Sequence, residues 1–143
     1  PSVKRIKLIA DGYFELKIGE NELRAYVEID RGTISLRKLA MRLEAYFALH
    51  RHMVDRQAPG FYVLLVVSSR QRLQNIKKIL AGLSYSNRRV FALAVSENIR
   101  AYDQDLLTKK MWEIVGSSIG EGLSIEDIVQ NCERRQAGGA QAK

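Results

Sequence analysis

An α/β domain on a mixed sheet is predicted by this sequence on three observations. Apolar and polar residues alternate as far as Asp30; from Ser35 the apolar period lengthens to about 3.6. Two runs that are apolar almost throughout, Phe61 to Val67 and Val90 to Val95, flank a second helical stretch. Runs of that kind mark strands covered on both faces, and strand, helix, strand order implies a right-handed crossover with parallel pairing. The alternating start is an antiparallel meander, so the sheet is mixed, with helices flanking it.

Each element has its own justification. From Val3 to Leu16 the apolar positions are Ile6, Leu8, Tyr13, Phe14 and Leu16, with Asp11-Gly12 as a turn or bulge inside the run. Lys17 to Glu22 reads as a hairpin loop, and Leu23, Tyr26, Val27 and Ile29 belong to the returning strand. Leu36, Leu39, Ala40, Leu43, Tyr46 and Phe47 share a helix face, with Thr33 or Ser35 as N-cap. Ser68 or Ser69 caps the second helix, whose apolar positions are Leu73, Ile76, Ile79, Leu80 and Leu83. Asp103 to Val115 reads as a third helix, with Trp112 as a core position. Ser124 to Arg134 reads as a fourth, opened by Ser124 and Asp127 in capping-box spacing. Residues 1–135 form one domain, and 136–143, small and polar, form a flexible tail.

Composition narrows the class. The 143 residues carry 23 Lys and Arg against 16 Asp and Glu, a formal charge of +7, which points to a polyanionic partner. No apolar run approaches the ~20 residues of a membrane-spanning helix. Cys132 is the only cysteine, which excludes an internal disulfide and cysteine-based zinc spacing. The expected compartment is the cytoplasm, with no membrane partner. The start at Pro1 on a strand-like segment suggests further chain upstream.

Acidic residues in the meander are the first candidates for chemistry. Glu28 and Asp30, two apart on a strand, emerge from one face of the sheet, and Ile29 takes the other. A hairpin whose paired residue numbers sum to 39–41 brings Asp11 near them. Clustered carboxylates repel unless they share a proton or a cation, and an oxygen-rich group suits Mg²⁺. The plain alternative is a row of acids on the solvent face of a hairpin.

Ile9-Ala10-Asp11-Gly12-Tyr13-Phe14, Tyr26-Val27-Glu28-Ile29-Asp30-Arg31-Gly32-Thr33 and Arg42-Leu43-Glu44-Ala45-Tyr46 together resemble the replication-relaxation family of bacterial plasmids and mobile elements. That family is similar in turn to the PD-(D/E)XK nuclease-like superfamily. The resemblance implies a restriction-endonuclease-like topology and a Mg²⁺-dependent phosphodiester hydrolase acting in plasmid replication or DNA relaxation. It makes Asp11 the motif aspartate and Glu28 its second acid, both as metal ligands. Ala10 replaces the motif proline, and Asp30 stands where the nuclease lysine belongs, so that Asp30 assists or replaces a ligand. A cation from the next helix would compensate: Arg42, with Lys38 one turn earlier, facing the phosphate. Arginine, with a pKa above ~12, stabilises phosphate charge but carries protons poorly. Family members often have a winged-helix segment before this domain, so sequence-specific recognition is expected to belong to chain upstream of Pro1.

Charge supplies a second, independent line. Arg70, Arg72, Lys77, Lys78, Arg88 and Arg89 occur with no Asp or Glu between them, a DNA-binding face if they track phosphates and a solubilising surface otherwise. The expected partners are therefore DNA and other replication or mobilisation proteins. The alternative function is a catalytically inactive nuclease-like fold that serves as a protein-interaction module. His50 and His52 lie off a common helix face and lack a third ligand. Gly116, Gly120 and Gly122 follow a predicted helix and lack the Gly-Lys-Ser/Thr ending of a phosphate loop, so they read as a helix end and connection.

Overall fold

The computed structural model describes residues 7–82, 90–99, 104–115 and 122–130. In chain order these form β1 (Gly12–Ile18), β2 (Asn21–Asp30), α1 (Leu36–Asp55), β3 (Tyr62–Val67), α2 (Arg70–Gly82), β4 (Phe91–Val95) and β5 (Glu113–Ile114). Residues 125–130 form a further helix, α3. The sheet order follows the chain, β1-β2-β3-β4-β5. The outer pairs β1/β2 and β4/β5 are antiparallel, and β2/β3 and β3/β4 are parallel, which is the mixed α/β sheet the sequence predicts.

The hairpin is tighter than expected. Ile18 pairs with Asn21 and Lys17 with Glu22, leaving only Gly19-Glu20 as the turn. Gly19 has φ +60 and Glu20 is not among the positive-φ residues, the signs of a type II′ turn with glycine at its first central position. The paired numbers sum to 39, as in Gly12 with Val27, so the register lies within the expected range. β1 starts at Gly12, and residues 7–10 form no strand. The ladder stops there because the Ile29 amide donates to the Asp11 side chain (Oδ2, 2.8 Å).

Both long helices begin as the sequence indicates. Ser35 Oγ accepts from the Lys38 amide (3.2 Å) and Ser69 Oγ from the Arg72 amide (3.1 Å), each satisfying a donor the helix itself leaves open. Leu39, Leu43 and Phe47 of α1 and Leu73, Ile76 and Leu80 of α2 pack on the same face of the sheet, over Val63, Leu65, Val67, Phe91, Leu93 and Val95. The opposite face, with Ala25, Leu64, Ala92 and Ala94, is covered by the C-terminal segment through Met111, Trp112, Ile114, Ile125, Ile128 and Val129. The central strands are therefore buried on both sides, as their uninterrupted apolar runs require.

One element differs in kind. The stretch expected to be helical from Asp103 to Val115 is a turn at 104–108 followed by extended chain. The Asp105 carbonyl accepts from the amides of Thr108 (3.0 Å) and Lys109 (2.8 Å). Trp112 then exchanges backbone hydrogen bonds with Leu123 (2.9 and 2.7 Å). Trp112 and Ile114 alternate onto one face, so Trp112 is a core residue of a strand-like segment rather than of a helix. Aromatic and β-branched side chains fit either state, and pairing with the free edge of β4 decides between them. The capping box holds: Asp127 N donates to Ser124 Oγ (3.0 Å) and Ser124 N to Asp127 Oδ2 (2.8 Å). The bond from the Ser124 backbone amide foremost holds the Asp127 carboxyl below its usual range. Leu83, Asp103, Gly116, Gly120, Cys132, Arg134 and the tail lie outside the described residues. Among the described residues no helix is long and apolar enough to cross a membrane.

Candidate functional site

β2 ends where α1 begins, and this junction frames a cavity of about 210 Å³ lined by Asp11, Glu28, Asp30, Arg31, Thr33 and Arg42 among others. Alternation places Glu28 and Asp30 on the α1/α2 side of the sheet, aligned with Leu65 and Val67 of β3. Both side chains are buried, 7% and 2% exposed, so each needs compensation within the protein.

Glu28 receives it from α1. Its Oε1 accepts from Arg42 Nε (3.0 Å), from Arg42 Nη2 (2.8 Å) and from the Tyr46 hydroxyl. Oε2 accepts no hydrogen bond among the described residues. The bond to Glu28 raises the Arg42 pKa further; burial, then the same carboxylate, pushes the Tyr46 phenol well above its usual range. Arg42 therefore stays charged and Tyr46 stays a donor. Arg42 Nη2 also donates to the Ile9 carbonyl, tying the segment before β1 to α1.

Asp30 receives its compensation from α2. Arg72 Nε donates to Oδ2 (2.5 Å) and Arg72 Nη2 to Oδ1 (3.1 Å), while the Gly32 amide donates to Oδ1 (3.1 Å). Arg72 Nη2 reaches the Ile34 carbonyl as well (2.8 Å), so one guanidinium fixes the whole β2–α1 connection. Gly32 has φ +76, the left-handed conformation that lets this turn close under Asp30.

The structure thus brings together Asp11, Glu28, Asp30 and Arg42. Asp11 is exposed at the mouth, one oxygen held by the Ile29 amide. Lys38 is exposed on α1 and is not part of the cavity wall. Of the basic face, Arg72 is committed to Asp30, and Arg70 and Lys77 both bind Glu113 of β5, Lys77 at 3.0 Å. Burial alone would raise the Glu113 pKa, but these two cations hold it below the ordinary carboxylate range. Lys78 is exposed, and Arg88 and Arg89 lie outside the described residues.

Sequence patterning missed three participants. Tyr46 looks like a core ring, though its place four residues after Arg42 puts both on one helix face and is a signal that they act together. Arg72 reads as a DNA contact, and Glu113 falls within a predicted helix; neither pairing partner has a local signature. Among the described residues no group of three or more His, Cys, Asp or Glu is placed to hold a metal. His50 instead packs against Phe61, ring centroids 5.2 Å apart. Asp11 and Glu28 both line the cavity, and Oδ1 of the first and Oε2 of the second accept no hydrogen bond among the described residues. That donor set fits Mg²⁺, which is commonly held by one or two carboxylates together with substrate phosphate. No family model, curated protein or solved structure matches the chain.

Proposed function

We propose that this chain is a DNA-handling domain of the replication-relaxation kind, with a nuclease-like fold that seats a DNA phosphodiester at the β2–α1 cavity. The observation that carries this reading is the convergence of exposed Asp11, half-satisfied Glu28 and the Arg42 guanidinium at one opening in a chain of charge +7. Arg42 locks Glu28 through Oε1 and leaves Oε2 without a hydrogen bond among the described residues, so the carboxylate is oriented before any ligand arrives. Asp11 and Glu28 would hold Mg²⁺ jointly with the phosphate. When bound, the ion supplies Lewis-acid polarisation and an acidified water. Asp30, paired with Arg72, anchors the cavity wall.

A second reading, a non-catalytic module that recruits replication or mobilisation proteins, is favoured by large apolar side chains left on the surface. Ile9, Ile29 and Met41 are 60%, 53% and 63% exposed.

Incubation with supercoiled plasmid in Mg²⁺ or Mn²⁺, beside a binding titration at two salt concentrations, tests both readings. Nicking lost in Asp11→Ala supports a nuclease. Salt-sensitive binding without nicking supports a DNA-binding domain that does not hydrolyse its ligand. Neither activity overturns the DNA reading and favours the recruiting module.

A further inference from the structure

A second cavity, of about 300 Å³, opens between the start of α2, the turn after β4 and β5. Arg70, Lys109 and Lys110 line it, with Glu113 the one carboxylate in the wall among the described residues. Glu113 is shared by Arg70 and by Lys77, one carboxylate between two cations, so the wall keeps an excess of positive charge. The wall is also fixed. Lys109 Nζ donates to the Asn98 carbonyl (2.7 Å), and a Cβ on Gly122 would stand 2.7 Å from the Lys110 carbonyl oxygen, so these two backbones touch. Among the described residues Met111 alone offers apolar lining, which disfavours a greasy ligand.

Its position relates it to the first cavity. Both lie at the carboxyl ends of the parallel strands, where ligands of open α/β sheets collect. The first turn of α2 serves both, Arg72 reaching Asp30 and Arg70 reaching Glu113. From β2 to β5 is three strand spacings, about 14 Å, which one nucleic-acid strand covers in about four nucleotides.

We propose that the second cavity binds a backbone phosphate of the same DNA strand that occupies the first, with Lys110 and Arg70 as its contacts. The proposal rests on the DNA reading above and adds a second anchoring point to it. Glu113 then tempers the site, competing with the phosphate for Arg70.

The test uses the full chain and a labelled oligonucleotide, single-stranded and duplex, with affinity measured over a salt series. Lys110→Ala is expected to weaken binding several-fold and to reduce the salt slope by about one. Glu113→Gln, which releases Arg70 and Lys77, is expected to tighten binding, a gain that misfolding does not produce. Wild-type binding with both variants unchanged overturns the second site and leaves the first cavity's reading standing. Absence of wild-type binding overturns both. Inorganic phosphate supplies the remaining arm: if it raises the melting temperature of wild type but not of Lys110→Ala, while oligonucleotide affinity is the same in both, the site takes a free phosphate and the strand proposal is overturned.

Discussion

Replacing Arg72 with Met would remove three hydrogen bonds and leave the Asp30 carboxylate, 2% exposed, without its counter-charge. The Arg72 side chain is itself 15% exposed, so solvent does not take over its role. Breaking one partner of a buried pair costs about 3–5 kcal/mol, because the remaining charge is buried and uncompensated. At a urea m-value of about 2 kcal/mol per molar for a domain of this size, the unfolding midpoint falls by about 1.5–2.5 M. Asp30→Asn in the Arg72→Met background removes the stranded charge and keeps an acceptor for the Gly32 amide, so most of the loss is recovered. Urea titration of wild type, single variants and double variant measures this as a double-mutant cycle. A single variant within about 1 kcal/mol of wild type, or a double variant as unstable as Arg72→Met, refutes the assignment of Arg72 as a structural clamp.

Tyr46→Phe deletes a donor to a buried carboxylate and costs about 1.5–3 kcal/mol in denaturant titration. Because the folded-state pKa of Tyr46 is raised, the unfolded chain loses that proton first as pH rises. Its contribution is intact below pH ~10 and is lost progressively above it, so the stability gap between wild type and Tyr46→Phe narrows with rising pH in that range. Ser124→Ala removes one half of the α3 capping box and costs about 1 kcal/mol, read as a fall of a few degrees in melting temperature. Gly32→Ala forces a side chain into φ +76 with its Cβ 3.0 Å from Ser68 Oγ. The penalty is about 1–2 kcal/mol from backbone strain, seen in the same melt.

What the sequence made legible follows the range over which each signal acts. Leu39, Leu43, Tyr46 and Phe47 repeat within one helix, and the run from Tyr62 to Val67 is apolar in itself, so both elements could be read locally. The approach of Asp11 to Glu28 was accessible too, because a short hairpin ties register to turn position. Glu28 and Asp30 sharing a face followed from alternation alone. The groups that neutralise Asp30 and Glu113 were not accessible: Arg72 meets Asp30 and Arg70 meets Glu113 only after two crossovers have placed α2 over the centre of the sheet, within side-chain reach of β2 and β5. The segment before Glu113 misled because apolar residues at 106, 107, 111, 112 and 115 satisfy helical spacing, while the pairing of Trp112 with Leu123 is set by chain outside that window. Local pattern thus located the acids, and only the tertiary structure showed that two of the three already have internal cations.

The covering of the second sheet face by the C-terminal segment has a consequence for how the protein is made. Leu64, Ala92 and Ala94 are synthesised well before Met111, Trp112 and Ile128, the residues that cover them. A nascent chain that has finished β4 therefore carries a sheet dressed on one side only, with an apolar face open to other chains. Glu113 arrives in the same late segment, so Arg70 and Lys77 wait as long for their counter-charge as the sheet waits for its cover. Completion of the second core and formation of the second basic cavity are one event, possible only once residues 111–129 have been made.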